Sequence, residues 1–173
     1  MITIISGTNR HNSSSLKVAK YYQKQLANRG LISTILPLND VPLSIYNPES
    51  YTQPNQDFKA TQEIISQTQK FMFIIPEYNG SFPGVLKTFI DVCKFPESFD
   101  QKKCALVGIA TGKYGNIRGV DHFTGIAHYC GMQVMPLKIH IPAIHTELNE
   151  EGNFHLEKTL KFVTEQIEKF VNF

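Results

Sequence analysis

The stretch Ser6-Gly-Thr-Asn-Arg-His-Asn-Ser-Ser-Ser15 gathers five hydroxyl side chains, one arginine and one glycine. It follows the β-branched run Ile2–Ser6 and precedes a helical repeat, so it falls at the mouth of a helix. A helix start offers unpaired N–H groups and the positive end of a dipole, and both attract an anion. The hydroxyls of Ser6, Thr8, Ser13, Ser14 and Ser15 can wrap a phosphate without many formal charges, and Arg10 can add a charge-assisted bond. A plain N-cap by Ser13 or Ser14 is the competing reading, but a cap accounts for one serine only. The stretch contains neither Gly-Lys-Ser/Thr nor Gly-x-Gly-x-x-Gly, which favours a monophosphate over a pyrophosphate.

Two further segments stand where chemistry is expected. Pro76-Glu-Tyr-Asn-Gly-Ser81 follows the apolar run Phe71–Ile75, and Ala110-Thr-Gly-Lys-Tyr-Gly115 closes the apolar run Cys104–Ala110. The other reactive residues lack a working arrangement. Of six histidines, His122 and His128 lie on different faces of one helix, and His140 and His145 flank Pro142. Neither pair has zinc-ligand spacing. Cys93, Cys104 and Cys130 are scattered and read as reduced thiols, with Cys93 a buried helix position rather than a redox centre. Gly-x-Ser-x-Gly is absent. Lys87 and Asp91 have the spacing of an ordinary helix pair.

The elements that must hold these segments alternate along the chain. Strands are expected at Ile2–Ser6, Leu31–Leu38, Phe71–Ile75, Cys104–Ala110 and Gln133–Leu137, the last continuing past Pro136 through Ile139–Ile144. Helices are expected at Leu16–Arg29, at Asp57–Gln69, at Pro83–Lys94 with Pro83 in the first turn, around Val120–Cys130, and over Leu156–Phe170. Runs that are apolar at every residue suit central strands covered on both faces. The alternation implies one α/β domain over residues 1–173 with a doubly wound parallel sheet, and the flavodoxin-like strand order 2-1-3-4-5 is the expectation for it. Ligands in such sheets sit at the carboxyl ends of the strands, where all three segments fall. The polar stretch from Asn39 to Gln56 is long for a compact domain and reads as a binding loop, with Tyr46 and Tyr51 available to cover a pocket.

Composition narrows the classes. Hydrophobic residues make up 42%, charged residues 18%, and the net charge is +2. These values fit a soluble globular protein and exclude a nucleic-acid binder held by bulk charge. No apolar run approaches the roughly 18 residues that a membrane span needs. No signal peptide is read at the amino terminus, and a cytoplasmic location is expected.

The string Pro-Glu-Tyr-Asn-Gly-Ser-x-Pro-Gly-x-Leu-Lys over Pro76–Lys87 resembles the signature of the NADPH-dependent FMN reductases, which include chromate, quinone and azo-dye reductases. Gly7-Thr-Asn-Arg10 with Ser13 and Ser15 is similar to that family's phosphate element, and Ala110–Gly115 to its loop after the fourth strand. Ser15, Thr88 and Lys113 depart from the residues common there. The resemblance implies FMN, with its phosphate at Thr8, Arg10, Ser13 and Ser15. Its ring would lie at Pro76, Glu77, Tyr78, Asn79, Gly80 and Ser81, with Thr111, Gly112 and Gly115 on the ring or ribityl chain. A plain Asn79-Gly80 turn is the alternative for the second segment. The family pattern further implies NADPH or NADH as co-substrate, ping-pong transfer to a small-molecule electron acceptor (a quinone, an azo compound, a metal ion or free flavin), and a homodimer or dimer of dimers. It gives no side-chain acid or base and no metal site. A flavin carrier of the same fold is the rival, against which stand the Ser6–Ser15 segment and a pI near 8.4.

Overall fold

The computed structural model describes residues 1–173. Its strands are β1 (Ile2–Ser6), β2 (Ser33–Pro37), β3 (Lys70–Pro76), β4 (Lys103–Ile109), β5 (Gln133–Val134) and β6 (Ile139–Ile141). Its helices are α1 (Ser14–Ala27), α2 (Lys59–Gln67), α3 (Gly84–Val92), α4 (Ile117–Tyr129) and α5 (Glu157–Asn172). All strand pairs are parallel, in the order β2-β1-β3-β4, with β5 and β6 both on the far edge of β4. The expected order 2-1-3-4-5 therefore holds, with the fifth position filled by two short strands.

That break corrects the single run expected over Gln133–Ile144. Val134 pairs with Cys104, but Ile139 pairs with Val107, so residues 135–138 face only residues 105–106 of β4. Pro136 has no N–H to offer the ladder, and the edge bulges around it. The orphaned carbonyls are met from outside the sheet. Gln166 of α5 donates from Nε2 to the Leu106 carbonyl at 3.0 Å and to the Leu137 carbonyl at 3.1 Å. Its Oε1 accepts from the Tyr22 hydroxyl of α1 at 2.8 Å. Both side chains are fully buried. A polar core residue thus replaces the missing ladder bonds.

Successive strand residues point to opposite faces and build two cores. Ile5, Phe71, Phe73, Ile75 and Leu106 pack against α3 and α4 through Leu86, Phe89, Val120 and Phe123. Ile4, Met72, Ile74, Ala105 and Val107 pack against α1 and α5 through Val18, Tyr22, Val163, Ile167 and Phe170. Pro83 is the N-cap of α3 rather than a residue of its first turn. The Asn39–Gln56 loop is anchored by Val41 and Ile45, buried in the first core, and carries one-turn helices at Leu43–Tyr46 and Pro48–Tyr51.

Candidate functional site

The loops after β1, β3 and β4 meet at one end of the sheet. Gly7 turns the chain out of β1, its N–H donating to the Ile74 carbonyl at 2.9 Å. A Cβ at this position would stand 2.9 Å from that same oxygen, so only glycine permits the approach. Ser13 is the N-cap of α1, its hydroxyl accepting from the Leu16 N–H at 3.2 Å, and Ser15 donates to Ser13 Oγ at 3.1 Å. The cap reading is therefore correct for Ser13, and Ser15 supports it. What remains is suited to an anion. The N–H groups of Ser14 and Ser15 have no acceptor within the chain. Ser6 Oγ is fully buried at the end of β1 without a hydrogen-bond partner. Arg10 is exposed and forms no ion pair, since the salt bridges of the chain involve Arg29, Lys87 and Lys169. Thr8 is buried, and its Oγ1 lies 2.6 Å from the Tyr78 hydroxyl of the second loop. The Arg10 guanidinium sits 4.7 Å from the centre of the Tyr78 ring.

The second loop is a tight turn. Asn79 and Gly80 have φ of 50° and 77°, the left-handed pair of a type I′ turn. Tyr78 and Ser81 exchange N–H donations across it at 2.9 and 3.0 Å, and the Glu77 N–H donates to the Ile109 carbonyl. The loop is thus both a plain turn and a platform. Within Pro76–Ser81 only the N–H groups of Asn79 and Gly80 are free to meet a ligand, because the Ser81 N–H is spent on the Tyr78 carbonyl.

The third loop is pinned from below. Gly115 has φ of 55° and is buried; a Cβ there would stand 2.6 Å from the His140 carbonyl carbon and the Ile141 nitrogen. Its glycine has a packing cause, and of the three residues expected to touch a ligand it is the one turned into the structure. Thr111 and Gly112 are exposed, with N–H groups that donate to no protein acceptor. His140 Nδ1 is buried without a partner, and burial lowers the imidazole pKa below its ordinary value.

Two residues that the sequence reading passed over join these loops. Asn116, buried and left-handed with φ of 61°, caps α4 by accepting from the Gly119 N–H at 3.1 Å and donates to the Ile75 carbonyl at 3.0 Å. Gly119 then lets α4 press on Ser81, whose carbonyl carbon would lie 2.6 Å from a Cβ. The signal was the Asn-x-x-Gly spacing at a helix start. On the same helix His122 Nδ1 lies 2.9 Å from Ser81 Oγ.

A loop rich in hydroxyls and free N–H groups, joined to an Asn-Gly turn at the carboxyl ends of β1 and β3, is the arrangement that the family resemblance implied. The sequence model of the NADPH-dependent FMN reductases matches residues 1–146. The chain belongs to this family. A quinone reductase of Pseudomonas putida is 31% identical over 125 residues, covering 70% of this chain and 65% of the relative's length. An NAD(P)H-dependent FMN reductase of Pseudomonas aeruginosa is 26% identical over 173 residues, covering 95% of this chain and 89% of that protein. Among solved structures, the flavoenzyme NAD(P)H:(acceptor) oxidoreductase FerB of Paracoccus denitrificans shares the fold with a TM-score of 0.84 at 23% identity, covering 99% of this chain and 94% of the other. As a member of the FMN reductase family, the chain can be tested for fit to FMN. The unpartnered Ser6 Oγ and the free N–H groups of α1 suit a phosphate, and the free N–H groups of Asn79, Gly80, Thr111 and Gly112 suit the carbonyls and nitrogens of a flat ring. No helix is long and apolar enough to cross a membrane.

Proposed function

We propose that the chain is an NAD(P)H-dependent, FMN-containing oxidoreductase that takes hydride from a nicotinamide and delivers reducing equivalents to a quinone, azo compound, metal ion or free flavin. The observation that carries this reading is the union of phosphate loop and turn through Thr8 and Tyr78. FMN, when bound, supplies the hydride chemistry itself, and the protein supplies position and electrostatics.

The residues of the chain act as follows. The N–H groups of Ser14 and Ser15, the hydroxyls of Thr8 and Ser6, and the Arg10 guanidinium hold the phosphate. Ser13 and Ser15 keep the helix start rigid rather than reaching the ligand themselves. The turn at Asn79-Gly80 and the loop at Thr111-Gly112 present preorganised N–H donors where negative charge develops on a reduced ring, and such donors act without reorganising. Pro76 and Glu77 set the height of the turn, through the bond from Glu77 to Ile109. No side-chain acid or base is assigned to the hydride step. The protein works as a cytoplasmic homodimer or dimer of dimers whose contact includes α3 and its exposed Lys87–Asp91 pair.

The test is the visible spectrum of the purified chain before and after anaerobic NADPH. Flavin bands that bleach with NADPH and return with a quinone support the reductase. Bands that persist leave a carrier, and a colourless protein that takes up no added FMN refutes flavin binding altogether.

A further inference from the structure

Tyr78 belongs to the second loop by sequence, and the resemblance assigned it to the ring. Its contacts are with the first loop instead. The Thr8 hydroxyl has one proton to give and two lone pairs to fill. The Arg10 backbone N–H reaches Thr8 Oγ1 at 3.4 Å, and the Tyr78 hydroxyl lies 2.6 Å from it. Either hydroxyl can give the proton in that bond; a phenol is the more acidic of the two, and on that ground Tyr78 is assigned as the donor. Both lone pairs of Thr8 are then engaged, and its own proton has no acceptor in the chain. The same phenol ring carries the Arg10 guanidinium at 4.7 Å from its centre, a cation–π contact that keeps a cation without a carboxylate partner beside Thr8.

We infer that Tyr78 is a positioning residue for the phosphate ligands Thr8 and Arg10, and that it thereby lets the chain tell a phosphorylated flavin from an unphosphorylated one. The inference rests on the flavin reading above and deepens it. Tyr78 leaves the Thr8 proton free for a phosphate oxygen and fixes the side chain of Arg10 without neutralising it. Riboflavin, with the same ring and no phosphate, has nothing to gain from either effect.

The test uses the full chain freed of flavin and titrated separately with FMN and with riboflavin, followed by quenching of flavin fluorescence. Tyr78→Phe keeps the ring under Arg10 and removes one hydrogen bond, so FMN should bind about three- to tenfold more weakly. Riboflavin affinity should stay within about twofold. Thr8→Val, which leaves Tyr78 in place, should show the same FMN-only loss. The double variant should be less impaired than the product of the two single effects, because the two hydroxyls act as one unit. Equal losses for FMN and riboflavin in Tyr78→Phe would place Tyr78 at the ring and overturn the inference, as would unchanged affinity for both. If the unaltered chain binds FMN no better than riboflavin, phosphate discrimination is absent and the inference fails while flavin binding stands. If it binds neither, the flavin reading falls and the inference with it.

Discussion

Two glycines of α4 should respond in opposite directions to the same substitution. Alanine is intrinsically preferred over glycine in a helix by about 1 kcal/mol. At Gly125 the space is open, with nothing within 4 Å of a built Cβ, so Gly125→Ala should stabilise the protein by about 0.5–1 kcal/mol. At Gly119 a methyl group would meet Asn116 Oδ1, and would stand 2.6 Å from the carbonyl carbon and 2.7 Å from the oxygen of Ser81. These are backbone and cap atoms, which cannot swing aside as the end of a long side chain can. Overpacking costs about 1–3 kcal/mol, and loss of the Asn116 cap about 0.5–2 kcal/mol. Set against the gain in propensity, Gly119→Ala should destabilise by about 0.5–4 kcal/mol. Urea unfolding at pH 7.5 measures both variants. Because Ser81 closes the Asn79-Gly80 turn, Gly119→Ala should also weaken flavin binding, whereas Gly125→Ala should not. Equal stabilisation by the two substitutions would show that α4 does not bear on the second loop, and the account of how that loop is held would be wrong.

Gln166→Leu should cost about 3–5 kcal/mol in urea unfolding, since it strands the Leu106 and Leu137 carbonyls and the Tyr22 hydroxyl inside the core; a loss under about 1 kcal/mol would mean that the bulge needs no side-chain bridge. The lowered His140 pKa means that the unfolded chain binds a proton more readily than the folded one. The stability gained from a neutral His140 is thus full above about pH 6.5 and declines as pH falls through the folded pKa. The fall in melting temperature between pH 7.5 and 5 should therefore be smaller in His140→Asn, and an unchanged slope would remove His140 as its source. Burial pushes the Cys93 thiol up and raises Cys104 to about 12, while Cys130, also raised by burial, is only partly covered. A disulfide reagent at pH 8 should modify at most Cys130 in the native chain and all three thiols in guanidinium.

The layered fold was legible because β1, β3 and β4 are covered on both faces and therefore read as runs of apolar residues. The break at the sheet edge was not, because it depends on Gln166 arriving from the last helix to satisfy carbonyls that Pro136 leaves unpaired. Nothing local to Gln133–Ile144 announces a partner so far along the chain. The site divides in the same way. Hydroxyls and glycines at strand ends are visible as composition, so the three loops could be located. Which serine caps α1 and which hydroxyl is left without a partner are matters of one hydrogen bond each, and Ser13 and Ser6 have the same side chain with opposite fates.

The way the loops are held bears on what the site can select. Each is fixed from outside the ligand: Gly7 against Ile74, the turn by Gly119 of α4, and the third loop by Gly115 under His140. The donors left over are backbone N–H groups of Asn79, Gly80, Thr111 and Gly112. Backbone donors recognise a ring by its polar edge and do not depend on a particular side chain to be correctly protonated, so the hydride chemistry proposed here should vary little with pH across the range in which the fold is stable. Discrimination among acceptors then falls to the walls above the loops. The Asn39–Tyr46 segment, with Asn9, His11 and Val85, lines a pocket of about 330 Å³ beside the phosphate loop, and on the function proposed above it is the wall to test. Leu43 and Tyr46 are exposed there, at 76% and 47%, and touch none of the groups assigned to the phosphate or the ring in the hydrogen bonds of the chain. Residues free of both folding and cofactor duties are the ones whose substitution should change acceptor preference without loss of flavin.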